Sequence, residues 1–218
     1  MATPASDTNA ESAPVRLLSL LAPPLCTACR LPTRSAAVLC PACTRALEHL
    51  GPAPVPLAGL DVWAPVAYEG PARALVRYLK FHGATALARQ MAAAIVAGAP
   101  AGVLAHPLVA VPSPPARRRR RGFCHAGLLA EAIAARTGLP VLPLLERAGP
   151  AGRQVGRARS QRLRTPPRFR SVGTGTGAVV LVDDVVTTGA TLAACARALR
   201  QKGWRCGHAV AYARTPVR

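Results

Sequence analysis

The stretch that most constrains this chain is Val179-Val-Leu-Val-Asp183-Asp184-Val-Val-Thr187-Thr188-Gly189-Ala190-Thr191. Four consecutive aliphatics suit a strand buried on both faces, as happens where helices cover a parallel sheet on both sides. The carboxylates and the hydroxyl-rich segment then run into an Ala-rich helix expected over residues 190–202 and stopped by Gly203. Such a helix start presents unpaired N–H groups and the positive end of the helix dipole, a fitting seat for a phosphate. Gly189 allows close backbone approach, and Thr187, Thr188 and Thr191 add hydroxyl donors. Asp183 and Asp184 would repel a phosphate that touched them, so a neutral group has to lie between. A ribose satisfies this if its 2′ and 3′ hydroxyls donate to the acids while its 5′-phosphate sits against the segment 187–191. The stretch lacks both the Gly-Lys-Ser/Thr of a Walker loop and the G-x-G-x-x-G of a dinucleotide fold. The plainer alternative is a strand, a turn and a helix with ordinary Asp and Thr caps.

The rest of the chain alternates in the same way. Strands are expected over residues 62–68, 108–111, 141–145, 179–182 and 206–213, and helices over 71–79, 84–97, 126–137 and 190–202. Alternation of this kind predicts an α/β fold, a mostly parallel sheet with helices on both faces. Residues 1–14 are small and polar with no apolar period, and are expected to be disordered. Residues 51–60 read as a linker because their closely spaced prolines disfavour helix and sheet. The main domain is therefore expected over 61–218. No apolar run approaches the ~20 residues of a membrane-spanning helix. The nearest candidate, 17–25, is broken by Pro23 and Pro24. It lacks the small-x-small site of a secretory leader, so a cytoplasmic location is expected.

Residues 15–50 contain Cys26-Thr-Ala-Cys29 and Cys40-Pro-Ala-Cys43, two C-x-x-C pairs separated by ten residues. Cys26, Cys29, Cys40 and Cys43 can complete a tetrahedral thiolate shell around zinc. A segment this small needs such a cross-link because it cannot bury a core of its own. With four sulfurs the shell is closed, so the metal is expected to be structural and His49 to be a surface residue. Two disulfides, or a redox pair, are the alternatives. Cys195 and Cys206 lie in apolar surroundings and read as core fillers.

The formal net charge is +19, and nearly all of it is arginine. From Arg117 to Arg170 fourteen arginines face only Glu131 and Glu146, a net +12. A field of that strength favours polyanions: phosphates, pyrophosphate or nucleic acid. The run Arg117 to Arg121, in the segment 112–122 read as a loop, offers guanidinium forks to phosphate groups. Arg121, followed by Gly122, is the best single candidate. A solvated basic surface is the plain alternative. Residues 150–170, rich in Gly, Pro and Arg, read as a loop over the site. Aromatic residues make up only 4% of the chain and do not interleave with the arginines in sequence. Contact with single-stranded DNA is therefore expected to be electrostatic and steeply salt-dependent.

The segment 179–191 resembles the phosphoribosyl-pyrophosphate motif of type I phosphoribosyltransferases. Taken with the cysteine pairs, Tyr68-Glu-Gly-Pro-Ala-Arg73, Leu79-Lys80-Phe81-His82-Gly83, Val111-Pro112-Ser113-Pro114, Arg121-Gly122-Phe123, and Gln154 with Arg159 and Arg162, the chain resembles the competence-associated ComF family over about residues 15–214. The resemblance implies a zinc ribbon joined to a type I phosphoribosyltransferase domain that uses phosphoribosyl pyrophosphate with magnesium. It also implies a link to DNA uptake, with competence proteins as partners, or to nucleotide metabolism. By this resemblance Asp183 and Asp184 hold the ribose during catalysis. Thr187, Thr188, Gly189, Ala190 and Thr191 hold the 5′-phosphate, and Arg121 and Gly122 the pyrophosphate. One departure is Cys124-His125-Ala126, where the family has Asn-Gln-Ala. Neighbours in sequence seldom aim both side chains at one atom, so a Cys-His nucleophile is not expected.

Overall fold

The structure, a computed structural model, describes residues 24–33, 37–148 and 167–216. Its centre is a sheet in the order β1-β2-β8-β7-β4, with β3 also pairing β8. The strands are β1 Val55–Leu57, β2 Leu60–Trp63, β3 Val66–Ala67, β4 Leu108–Ala110, β7 Ala178–Val186 and β8 Arg205–Arg214. All these pairings are parallel except β1 with β2. A separate antiparallel pair joins β5 Leu145–Ala148 to β6 Arg168–Ser171. Helix α1 is Pro41–Arg45, α2 Gly70–His82, α3 Thr85–Gly98, α4 Pro115–Arg121, α5 His125–Thr137 and α6 Ala190–Arg200.

The central strands alternate their side chains between two cores, the period-2 behaviour of a sheet covered on both sides. Val180 and Val182 of β7 pack with Leu79, Met91, Leu129 and Ile133 from α2, α3 and α5. Val179 and Leu181 pack with Leu192, Cys195 and Leu199 of α6. Cys195 and Cys206 are buried fillers here. Burial pushes the Cys195 thiol far up and the Cys206 thiol up to about 11. Among the described residues, no helix is long and apolar enough to cross a membrane.

Four local readings change. The segment 51–60 is not a plain linker, because Val55–Leu57 adds an edge strand in register with Leu60–Val62. Pro56 is tolerated there because an edge strand leaves its nitrogen side unpaired. Ala58 and Gly59, both at positive φ, close the hairpin, as a two-residue turn that follows the strand twist requires. The strand expected over 141–145 shrinks to a single bridge at Val141, and the ladder begins instead at Leu145. The arginine run is a seven-residue helix rather than a loop: Pro115 opens it and Gly122 closes it at φ 79°. Proline at N1 is pre-organised, and arginine is among the better helix formers. The strand expected over 179–182 continues to Val186, so both acids lie within it. The expected disorder of 1–14 and most of the 150–170 loop lie outside the described residues, whereas Arg168–Arg170 belong to β6.

Candidate functional site

β7 and β8 project beyond the end of β4, and Asp183 and Asp184 occupy that end of β7. Both are buried, Asp184 to 2% exposure. Alternation sends them to different layers. Asp184 forms an ion pair with Lys80 Nζ of α2 at 2.9 Å, while Asp183 lines a small pocket with residues 187–192. The strand end nevertheless keeps their carboxylates and the His125 ring within 4.8 Å of one another. The backbone N–H of Asp184 donates to Asp183 Oδ1 at 2.8 Å. Burial first, and the Asp184 charge second, hold the Asp183 carboxyl well above the usual carboxylate range. Asp183 thus holds its proton more tightly than an ordinary carboxyl, while Asp184 is paired with an ammonium.

His125 opens α5 beside them. Its Nδ1 lies 3.3 Å from Ser113 Oγ and its Nε2 3.8 Å from Asp184 Oδ1, too far for a hydrogen bond. Burial is the larger influence and pulls its pKa below the ordinary value despite the nearby carboxylate. Ser113 Oγ donates to Cys124 Sγ at 3.4 Å, and that thiol donates to the Val111 carbonyl at 3.6 Å rather than to the acids. This is a packing role. Arg121 is the inward member of α4. Arg117 to Arg120 are exposed, but its Nε is buried with no hydrogen-bond partner among the described residues. Its guanidinium lies 4.9 Å from the centre of the Phe81 ring. Burial, then repulsion from Arg117 and Arg120, lowers its pKa. An orphaned guanidinium N–H beside a carboxylate pair is a group waiting for an anion.

The segment after β7 turns into α6 at Gly189, which caps the helix at φ 73° with no side chain capping it. Only Thr188 Oγ1, at a long 3.5 Å from the Ala190 N–H, approaches the first turn. Thr187 and Thr188 are exposed, Thr191 is half-buried, and the pocket beneath them holds about 40 Å³. A Cβ on Gly189 would stand 2.9 Å from Leu57 Cγ and 3.0 Å from Ala58 Cβ. The β1–β2 hairpin therefore presses directly on this loop and fixes it.

The four cysteine sulfurs form a second cluster, all within 4.8 Å of one another. Cys29 and Cys40 are 3.6 Å apart, near the edge of about 3.8 Å that a tetrahedron with ~2.3 Å zinc–sulfur bonds demands. Burial alone would push the Cys26 thiol up. Backbone N–H groups of Cys29, Cys40 and Ala28 aimed at its sulfur outweigh that and bring it down to about 6. Desolvation first, and the neighbouring sulfurs next, push the half-buried Cys43 thiol up to about 12. Cys40 caps α1 and accepts from the Cys43 N–H at 3.5 Å. Four close cysteines with amides turned to sulfur could hold a zinc ion. His49 is exposed and is not part of the cluster.

The structure thus gathers Asp183, Asp184, residues 187–191 and Arg121 at one end of the sheet, and places Gly122 at the turn after α4. It adds Lys80 and Ser113, to which the sequence assigns no site role, and His125, which the sequence marks only as a departure from the family's pattern. Lys80 carries one signal: it is one of only two lysines in a chain with 28 lysines and arginines. A compact ammonium kept where arginine is otherwise the rule fits a narrow ion pair. No protein-family profile matches the chain, and no curated protein matches it significantly.

Proposed function

We propose that this chain is a ComF-like protein of phosphoribosyltransferase type that binds phosphoribosyl pyrophosphate and passes its ribose to an acceptor, with zinc in its four-cysteine module. One observation carries the reading. Two buried acids end the central strand immediately before an uncapped helix start, with Lys80 and Arg121 beside them. In this reading the ribose hydroxyls meet Asp183 and Asp184, and the 5′-phosphate meets the N–H groups and hydroxyls of Thr187 to Thr191. The pyrophosphate lies toward Arg121, whose bonding capacity is unspent. Breaking the C1–pyrophosphate bond leaves positive charge on the ring, and the protein mainly positions the reactants. Magnesium, when bound, neutralises the pyrophosphate. Because Lys80 already occupies Asp184, ribose hydroxyls and phosphate oxygens are its fitting ligands. Zinc in the Cys26, Cys29, Cys40 and Cys43 shell would supply the cross-link the small module lacks.

A second reading, favoured by the exposed Arg117 to Arg120 on one helix, is a cytoplasmic single-stranded-DNA-binding competence protein that keeps the pocket without turnover. Calorimetry with phosphoribosyl pyrophosphate, with and without magnesium, separates the two. Binding to the parent, lost in the double variant Asp183→Asn/Asp184→Asn while DNA binding survives, is the expected result. Equal titration curves for parent and variant would refute the pocket. Binding to single-stranded DNA that does not weaken between low and high salt would refute the electrostatic contact.

A further inference from the structure

A second cleft, of about 350 Å³, opens between the cysteine module and α2. Arg30 comes from the first cysteine turn, and Arg77, Tyr78, Phe81 and His82 from the last turns of α2. Among the described residues, no acidic side chain lines it. Tyr78 and His82, one helical turn apart, stack with ring centroids 4.3 Å apart and 26° between planes. Phe81 is a large apolar ring left 58% exposed at the cleft edge, and Arg30 and Arg77 are exposed guanidiniums with no ion pair to another described residue. The fold sets the aromatic rings of α2 beside arginines from two separate elements here.

We propose that this cleft binds a nucleoside monophosphate, its base stacked on the aromatic side chains of α2 and its phosphate held by Arg30 and Arg77. Planar rings with cations alongside select a flat, electron-rich heterocycle, and guanidinium forks select a phosphate over a neutral or cationic group. The volume lies at the small end of ligand sites, suited to one nucleotide rather than a strand. This cleft borders the Asp183 site but opens on another side of α2: Lys80 turns to Asp184 and Phe81 meets Arg121 at 4.9 Å, while Arg30, Arg77 and Tyr78 line the cleft. The last turn of α2 therefore touches both.

Calorimetry with adenosine monophosphate tests the proposal on the full zinc-loaded chain. Phe81→Ala is expected to weaken binding about tenfold, the usual order for one base–aromatic contact, and Arg77→Glu at least as much. Saturating ribose 5-phosphate, which carries no base, is expected to leave the titration unchanged. Both positions are exposed, so circular dichroism and melting should match the parent. No binding to the parent, equal affinity in the cleft variants, or full competition by ribose 5-phosphate would each overturn the site. So would a cleft that takes a thymidine oligonucleotide, sensitive to the same variants, but no mononucleotide, because it would then belong to a strand.

Discussion

Replacing Lys80 by Met separates the charge of this residue from its stem. The side chain of Lys80 is 25% exposed and that of Asp184 only 2%, so the variant strands a carboxylate that water reaches poorly. Removing one partner of a fully buried pair costs about 3–5 kcal/mol. A quarter-exposed ammonium leaves a channel for hydration, which places the loss nearer 2–3 kcal/mol once screening is discounted. For a chain of this size that lowers the melting midpoint by roughly 5–10 °C. Urea unfolding at pH 7.5 should show the loss in the midpoint without a change in slope. Asp184→Asn combined with Lys80→Met should recover part of it, since the neutral amide no longer needs a counter-charge. The double-mutant cycle should therefore give a coupling above about 1 kcal/mol. A loss under ~0.5 kcal/mol with no coupling would mean that the pair behaves as a surface ion pair. The account of Asp184 as a neutralised carboxylate would then be wrong.

Gly189→Ala places a methyl 2.9 Å from Leu57 Cγ at a residue with φ 73°. Left-handed strain and overpacking together should cost about 2–4 kcal/mol, and thermal melting no different from the parent would dismiss the hairpin contact. Asp183 holds its proton more tightly folded than unfolded, so the stability it supplies is full below about pH 4 and is lost as pH rises through its elevated folded pKa. As pH rises above about 4 the parent should lose stability relative to Asp183→Asn, and parallel pH profiles would refute the shift. Freshly purified protein should contain one zinc per chain, and Cys26→Ser should lose it, as measured by elemental analysis. Zinc-free parent would dismiss the metal reading.

The sequence made the alternation of the sheet legible because buried parallel strands are written as uninterrupted aliphatics, as at Val179 to Val182. Elements whose signal is shared with loops were harder to read. Prolines at 52, 54 and 56 argue against a strand, yet an edge position removes their penalty. Five arginines look like a solvated loop, yet Pro115 and Gly122 supply the boundaries of a helix. The two-stranded β5–β6 pair depends on a contact across residues 149–166 that no local pattern announces. At the site, the acids and the Thr-rich turn were visible because they are contiguous. Lys80, Ser113 and His125 come from α2, the segment after β4, and α5, and only the fold makes them neighbours.

This separation bears on how the site handles charge. α4 carries five cations, but only Arg121 is turned inward with an unspent Nε, and the other four face solvent. A buried guanidinium N–H without a hydrogen-bond partner is costly, as is a buried Asp183 kept next to a second acid. In the proposed function both costs would fall when a phosphorylated sugar binds. Its hydroxyls can satisfy the acids, its pyrophosphate can satisfy Arg121, and its 5′-phosphate can take the uncapped amides of α6. The residues that raise the energy of the free site are thus the ones that a phosphorylated sugar would relieve. Helix α2 links this site to the four-cysteine module, since Lys80 pairs with Asp184 one residue before Phe81 borders the cleft shared with Arg30. A displacement of the last turn of α2 in one site must therefore be felt in the other, because a hydrogen-bonded helix moves its neighbouring residues together.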